Sequence, residues 1–174
     1  MADKAVFCIA TSEAQARRIV EDARAAGFSG DDISVLFPDK QGSHDFAHEQ
    51  HTKAPEGAAT GATTGGVLGG VAGWLVGIGA LAIPGLGPFV AAGPIMAALG
   101  GAAAGAAAGG LTGALVGLGM PEYEAKRYEG KIKSGGILIS IHTDDGDEVT
   151  RAKNLFKNAG AEDISYTGEA KAAS

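Results

Sequence analysis

The chain has 174 residues, a formal net charge of −6 and one cysteine. This length predicts one domain, or one domain with an insertion, and the acidic balance argues against nucleic acid as a main partner. A single cysteine excludes an internal disulfide and fits a reducing compartment. The first residues lead directly into a strand-like run without a cleavable leader, so a cytoplasmic location is expected.

The beginning of the chain predicts a strand–helix–strand unit. Ala5 to Ala10 is an apolar run typical of a strand, and Thr11 or Ser12 can cap the helix that follows it. Gly27 ends this helix, and Asp32 to Phe37 is the second strand.

The next segment contains three histidines. His44, His48 and His51 are spaced i, i+4, i+7 and would share one face of a helix. Neutral imidazoles at i and i+4 can bind one metal ion. The alternatives are a structural or pH-sensitive contact, and a solvated linker whose histidines bind nothing.

From residue 57 to residue 120 the chain has no charged residue, and glycine recurs there at every fourth position. Small residues at this spacing let two helix backbones approach closely. We therefore expect two long helices, roughly Ala58 to Ile83 and Pro94 to Gly119, packed along small-residue faces. The first run is Gly57, Gly61, Gly65, Gly69, Gly73 and Gly77, and the second is Gly93, Ala97, Gly101, Gly105, Gly109, Gly113 and Gly117.

Pro84, Gly85, Gly87 and Pro88 predict the turn between these two helices. Each helix would be about 39 Å long, enough to cross a hydrocarbon core of about 30 Å. One interpretation is therefore a hairpin inserted in a bilayer. The other is a hairpin buried in a soluble oligomer, since glycine and alanine are weakly apolar and the turn lacks a Lys, Arg, Tyr or Trp anchor.

A basic helix is predicted after the charge-free stretch. Pro121 suits its first turn, and cations alternate with tyrosines along it. Beside a membrane, such a helix would lie in the interface; the alternative is an ordinary surface helix with its acids early and its bases late. The candidate interface residues are Tyr123, Lys126, Arg127, Tyr128, Lys131 and Lys133.

The strand–helix–strand pattern returns at the end of the chain. Gly136 to His142 predicts a strand, a helix follows, and Asp163 to Thr167 predicts another strand. Two such units favour an α+β fold: a ferredoxin-like βαβ-βαβ sandwich of four antiparallel strands with two helices on one face, interrupted by the helical hairpin. The predicted segments are 1–38 (first half), 39–56 (histidine connector), 57–120 (hairpin), 121–135 (basic helix), 136–169 (second half) and 170–174 (disordered tail).

The sequence shows no catalytic constellation. Glycine pairs such as Gly85 and Gly87 are not followed by Lys-Ser/Thr, which argues against a phosphate loop. No nucleophile, base and orienting group occur in a recognisable pattern. We therefore expect neither an enzyme nor a cofactor nor a small-molecule substrate.

Several stretches carry a resemblance to a known family. They are Gly27-Phe28-Ser29-Gly30-Asp31-Asp32-Ile33-Ser34-Val35-Leu36, Asp45-Phe46-Ala47-His48-Glu49, Ala82-Ile83-Pro84-Gly85-Leu86-Gly87-Pro88-Phe89-Val90-Ala91-Ala92-Gly93-Pro94 and Gly119-Met120-Pro121-Glu122-Tyr123-Glu124-Ala125-Lys126-Arg127-Tyr128. Together with their order, they make the chain similar to bacterial general stress or heat-induced stress proteins. The resemblance implies a role under stress and supplies no catalytic motif.

Three functions remain open at this stage. The first is a non-enzymatic stress protein that self-assembles through its glycine-rich hairpins in or on the cytoplasmic membrane. The second is a soluble homo-oligomer, a shell or filament, whose hairpins form a protein-only apolar layer. The third is an accessory subunit or metal sensor that uses His44, His48 and His51.

Overall fold

The structure is a computed structural model that describes residues 4–38, 79–83, 87–95 and 106–167. Its strands are β1 (Lys4–Ala10), β2 (Ile33–Pro38), β3 (Gly79–Ile83), β4 (Gly87–Ala92), β5 (Ile137–Thr143) and β6 (Glu162–Thr167). Its helices are α1 (Glu13–Ala25), α2 (Ala106–Gly117), α3 (Glu122–Lys133) and α4 (Gly146–Asn158).

The strands form one six-stranded sheet in the order β3-β4-β2-β5-β1-β6, and every neighbouring pair is antiparallel. The predicted α+β class is confirmed. Both strand–helix–strand units are present, as β1–α1–β2 and β5–α4–β6. The first strands of the two units, β1 and β5, pair with each other inside the sheet.

The helices α1 and α4 cover the first face of the sheet. Ser12 caps α1, where its Oγ accepts the Gln15 N–H at 3.1 Å, and Asp145 caps α4. The helix faces predicted to be apolar are buried here against alternate residues of β1 and β5. The buried residues of α1 are Ala16, Ile19, Val20 and Ala23, and those of α4 are Val149, Ala152 and Phe156.

The helices α2 and α3 cover the second face of the sheet, which the sequence analysis left open. Leu111 and Leu115 of α2 pack there with Tyr128 of α3. They cover Phe7 and Leu138, which belong to the second set of alternate residues in β1 and β5. Because Phe7, Ile9 and Leu138 make this face apolar as well, the sheet needs a covering layer on each side.

The predicted helical hairpin is wrong for its described central part. Residues 79–83 form β3, so the first helix does not reach Ile83, and Gly87 and Pro88 lie in β4 instead of a helix–helix turn. Pro84 and Gly85 lie outside the described residues. The physical reason is pairing with β2, whose free side accepts β4 in the register Val35↔Ala92 and Leu36↔Ala91.

The second predicted helix also differs from the structure. Gly93 ends β4 with a φ of +80°, so it does not belong to a helical groove. Gly110, inside α2, has φ 54° and ψ −139°, which kinks that helix. A single straight helix from Pro94 to Gly119 is therefore wrong, although Gly109, Gly113 and Gly117 do lie in α2.

Gly93 marks a close approach between the chain after β4 and strand β2. A Cβ built at Gly93 would lie 2.1 Å from the Ile33 carbonyl oxygen and 2.9 Å from the Ser34 Cα. These neighbours are backbone atoms, which cannot move aside as a flexible side chain does. The site therefore requires glycine for both its conformation and its space.

We predict that Gly93→Ala lowers the free energy of unfolding by roughly 2–5 kcal/mol, because it combines backbone strain with overpacking. Gly117→Ala is the matched control: it belongs to the same glycine run, but its added Cβ would meet nothing within 4 Å. We expect the control to change stability by less than about 1 kcal/mol. Urea unfolding of both variants measures the difference, and equal losses would contradict this placement of Gly93.

Candidate functional site

A buried polar cluster lies on the second face of the sheet. Ser34 of β2 and Ser140 of β5 are directly opposite each other in the strand pairing. His142 lies two residues further along β5, and alternate residues of a strand point to the same face. All three side chains are buried among apolar residues. The β2–β5 register therefore brings three polar groups together inside the second core.

Hydrogen bonds connect this cluster to the end of β4. The His142 Nε2 lies 2.9 Å from the Ser140 Oγ and 3.2 Å from the Ser34 Oγ. The Ser34 Oγ also accepts the Ile95 backbone N–H at 3.0 Å. A hydroxyl can accept two hydrogen bonds and donate one, so the Ser34 Oγ can bond to both the imidazole and the Ile95 backbone in either tautomer of the neutral ring.

The electrostatics of the cluster keep the imidazole neutral. Burial lowers the pKa of His142 to about 4, because a charged ring would lose its hydration. The edge of the Phe7 ring packs against it at a centroid distance of 6.2 Å. A neutral ring, hydrogen-bonded to the serine hydroxyls, is the state that this apolar surrounding favours.

A serine beside a histidine is also the arrangement of a nucleophile and its base. In the described part of the chain, however, no carboxylate bonds to His142, and both serine side chains are fully buried. The arrangement instead joins β2, β5 and the chain at Gly93–Ile95. These hydrogen bonds hold the charge-free segment against the sheet just after the end of β4.

Tyr128 forms a second anchor, between α3 and the edge strand β6. Its side chain is fully buried, and its hydroxyl donates to the Asp163 carbonyl and lies 3.1 Å from the Ser165 Oγ. Burial raises the pKa of Tyr128 above its usual range. The prediction that Tyr128 lies at a membrane interface is therefore wrong, because its ring packs on the sheet.

The predicted cations of α3 take part in ion pairs on the protein surface. Arg127 contacts Asp163 at 3.2 Å, and Lys131 contacts Glu162 at 3.1 Å. Within the helix, Lys126 pairs with Glu122 and Lys133 pairs with Glu129. Tyr123 is 70% exposed. These contacts are those of the surface-helix alternative, and exposed pairs of this kind contribute little to stability.

The remaining predicted site residues are placed as follows. In α2, Gly113 and Gly117 lie on the other side of the helix from the buried Leu111 and Leu115. Several others lie outside the described residues: His44, His48, His51, Gly57, Gly61, Gly65, Gly69, Gly73, Gly77, Ala97, Gly101 and Gly105. Among the described residues, no group of three His, Cys, Asp or Glu side chains is placed to hold a metal ion. None of the helices in these ranges has both the length and the hydropathy of a membrane span.

An open groove of about 540 Å³ lies between α1 and α4. Asp22, Asn154 and Asn158 line it together with Arg151. The guanidinium of Arg151 is already engaged, since it bonds to Glu148 at 2.9 Å and lies 4.8 Å from the centre of the Phe28 ring. Ala26 and Leu155 also line the groove, so its described walls combine apolar and polar surface without a convergent set of reactive groups.

Comparison of the chain with family models, curated proteins and solved structures gives no match. The sequence analysis missed the cluster of Ser34, Ser140 and His142, although a signal was present. In strands that are otherwise apolar, polar residues at alternate positions indicate a polar site on one face.

We predict that His142 makes stability depend on pH. Its pKa is about 4 in the folded chain and about 6.5 when unfolded, so the unfolded state binds more protons between these values. Its contribution is complete above pH 6.5 and is lost as the pH falls to 4, by about 3 kcal/mol in total.

Urea unfolding between pH 7 and pH 4 measures this dependence. His142→Gln should flatten the profile, because glutamine does not titrate. His48→Gln, which removes a histidine from the predicted connector, is the control and should keep the profile of the unmodified chain. If the profile of His142→Gln ran parallel to that of the unmodified chain, the neutral buried imidazole would be excluded.

We also predict that Tyr128→Phe lowers the free energy of unfolding by about 1–3 kcal/mol, because the Asp163 carbonyl loses its buried donor. Tyr123→Phe removes the same hydroxyl from the exposed side of the same helix, and we expect a change within about 0.5 kcal/mol. Thermal or urea unfolding of the two variants distinguishes them. A similar small change in both would show that Tyr128 does not anchor α3.

Proposed function

We propose that the protein is a non-enzymatic, stress-associated assembly protein in which a ferredoxin-like domain carries the charge-free segment 57–120, and that this segment joins copies of the chain. The observation that carries the proposal is the pairing of β4 with β2. Through it, the charge-free segment becomes part of the sheet of the same domain that precedes and follows it. This supports a segment that the domain presents to other copies through its described strands β3 and β4.

The ferredoxin-like part of the proposal is supported by the strand order. Within the sheet, β6-β1-β5-β2 is the order of two interleaved βαβ units, with α1 and α4 on one face. The strands β3 and β4 extend this sheet at one side, and α2 and α3 cover its second face. These additions come from residues 57–120 and from the basic helix that follows them.

Of the two assembly forms, the protein-only layer is supported better than the bilayer form. Phe89, Ile95, Leu111 and Leu115 belong to the charge-free segment, and their side chains are buried against the sheet. Apolar residues with a protein partner need no lipid to cover them. The glycine run from Gly57 to Gly77, as read from its sequence, supplies small-residue contacts between copies.

The proposal involves no catalytic step. In the described part of the chain, the candidate Ser–His pair is buried and lacks a carboxylate to orient it. The groove between α1 and α4 has its one guanidinium occupied by Glu148. The Ser–His cluster and Arg151 hold strands and helices in place, a role that suits a scaffold.

The test is to express the full chain without a tag, lyse the cells without detergent, and combine lipid flotation with sedimentation velocity. We expect lipid-free particles much larger than the 17.3 kDa chain. Flotation with lipid would support the bilayer form instead, and a monomer at all concentrations would reject assembly.

Gly69→Leu with Gly73→Leu should reduce the particle size, because leucine holds small-residue faces apart. The matched control is Gly130→Leu with Gly146→Leu, at two positions where an added Cβ would meet nothing within 4 Å. We expect the control to assemble like the unmodified chain. Equal particle sizes for both double variants would exclude the first glycine run as the contact.

A further inference from the structure

The edge formed by β6 is protected against the addition of another strand. Its first residues, Glu162 and Asp163, carry charges held by Arg127 and Lys131. The pairing of β6 with β1 shifts register between Phe7 and Ile9, and Asp163 has a φ of +49°. Charges and irregularities of this kind are the devices by which sheet edges avoid pairing with other chains.

The edge formed by β3 has none of these devices. Its sequence, Gly79-Ala80-Leu81-Ala82-Ile83, contains no charge and no proline. It pairs with β4 over five consecutive residue pairs without a shift of register. Among the described strands, β3 has a neighbour on one side only. Its outward backbone N–H and C=O groups can therefore accept another strand.

We propose that β3 pairs antiparallel with β3 of a second copy of the chain, joining two six-stranded sheets across a two-fold axis. This inference rests on the proposed assembly function and names one contact through which copies meet. Antiparallel pairing of identical strands is self-complementary, since each copy offers the other the same donors and acceptors.

Charge favours a second copy at this edge. Each chain carries a net charge of −6, and all charged residues lie outside residues 57–120. Both strands at this side of the sheet, β3 and β4, belong to that uncharged stretch. Contact through β3 therefore brings two acidic chains together without placing like charges on the paired strands.

The competing occupant is the part of the same chain that precedes β3. In sequence, residues 57–77 carry glycine at every fourth position. Glycine weakens the interior of a strand, because it has no side chain to pack and loses much entropy on ordering. A second copy of β3, with only one terminal glycine, is the better partner.

The test compares Ala80→Lys on β3 with Tyr166→Lys on β6, which adds the same charge to the other edge at a half-exposed residue. Sedimentation of the full chains over a range of concentrations gives the association constant. We expect Ala80→Lys to weaken association at least about tenfold, since it places like charges at the two-fold contact. Tyr166→Lys should associate like the unmodified chain.

Hydrogen exchange of the β3 amides in the unmodified chain shows whether the strand that pairs with the outer edge of β3 belongs to a second copy. It therefore tests the proposal even if a variant fails to fold. We expect protection of these amides to increase with the concentration of the unmodified chain. Protection that does not depend on concentration would overturn the inference and assign the edge to a segment of the same chain.

The outcomes separate this inference from the proposed function. If the unmodified chain assembles and Ala80→Lys assembles equally well, the β3 contact is wrong while the assembly function remains. If the unmodified chain is monomeric at every concentration, the assembly function itself fails. Urea unfolding of each variant checks that the added lysine leaves the domain folded.

Discussion

The structure depends on one constraint: the central strands β1 and β5 are buried on both faces. All residues of β5 are buried, and alternate residues belong to two different hydrophobic clusters. The two βαβ units supply helices for the first face only. A second layer must therefore come from the chain between the units, because an uncovered apolar face of this size is costly in water. This explains why α2 and α3 fold back onto the sheet.

The second layer is positioned by polar groups within it. Ser34 and His142 tie the Ile95 backbone to the sheet, and Tyr128 ties α3 to β6. Between the helices, the Thr112 hydroxyl donates to the Glu129 carboxylate. Burying a polar group costs free energy unless it is bonded, so each of these contacts favours one arrangement over its alternatives. Apolar packing alone would define the layer less sharply.

The charge-free segment has a structural role in its described part and a proposed role in assembly. Its described part completes the domain, through β3, β4 and α2. Its sequence as a whole lacks the charges that keep protein surfaces apart, which is the basis for proposing assembly. The two edges of the sheet also differ in charge, since β6 carries ion-paired acids and β3 carries no charged residue. Charge distribution thus distinguishes a protected edge of the sheet from the edge at which we propose association.

Local sequence signals were sufficient to predict the two βαβ units. There the local signals agree: Ser12 at the helix start, Gly27 at its end, and apolar residues at helical or strand spacing. These signals act within a few residues, so no tertiary information is needed to interpret them.

The middle of the chain could not be predicted without its tertiary contacts. Residues 79–83 were predicted as a helix end, and Gly87 and Pro88 as part of a turn, yet they lie in strands β3 and β4 because β2 offers a free edge far away in sequence. Gly93 had the spacing of a helical groove, but its role follows from the Ile33 carbonyl beside it. Tyr128 and His142 are polar residues whose burial depends on partners from other elements. Such contacts join residues that are far apart in the chain, so they cannot be predicted from the spacing of residues in the sequence.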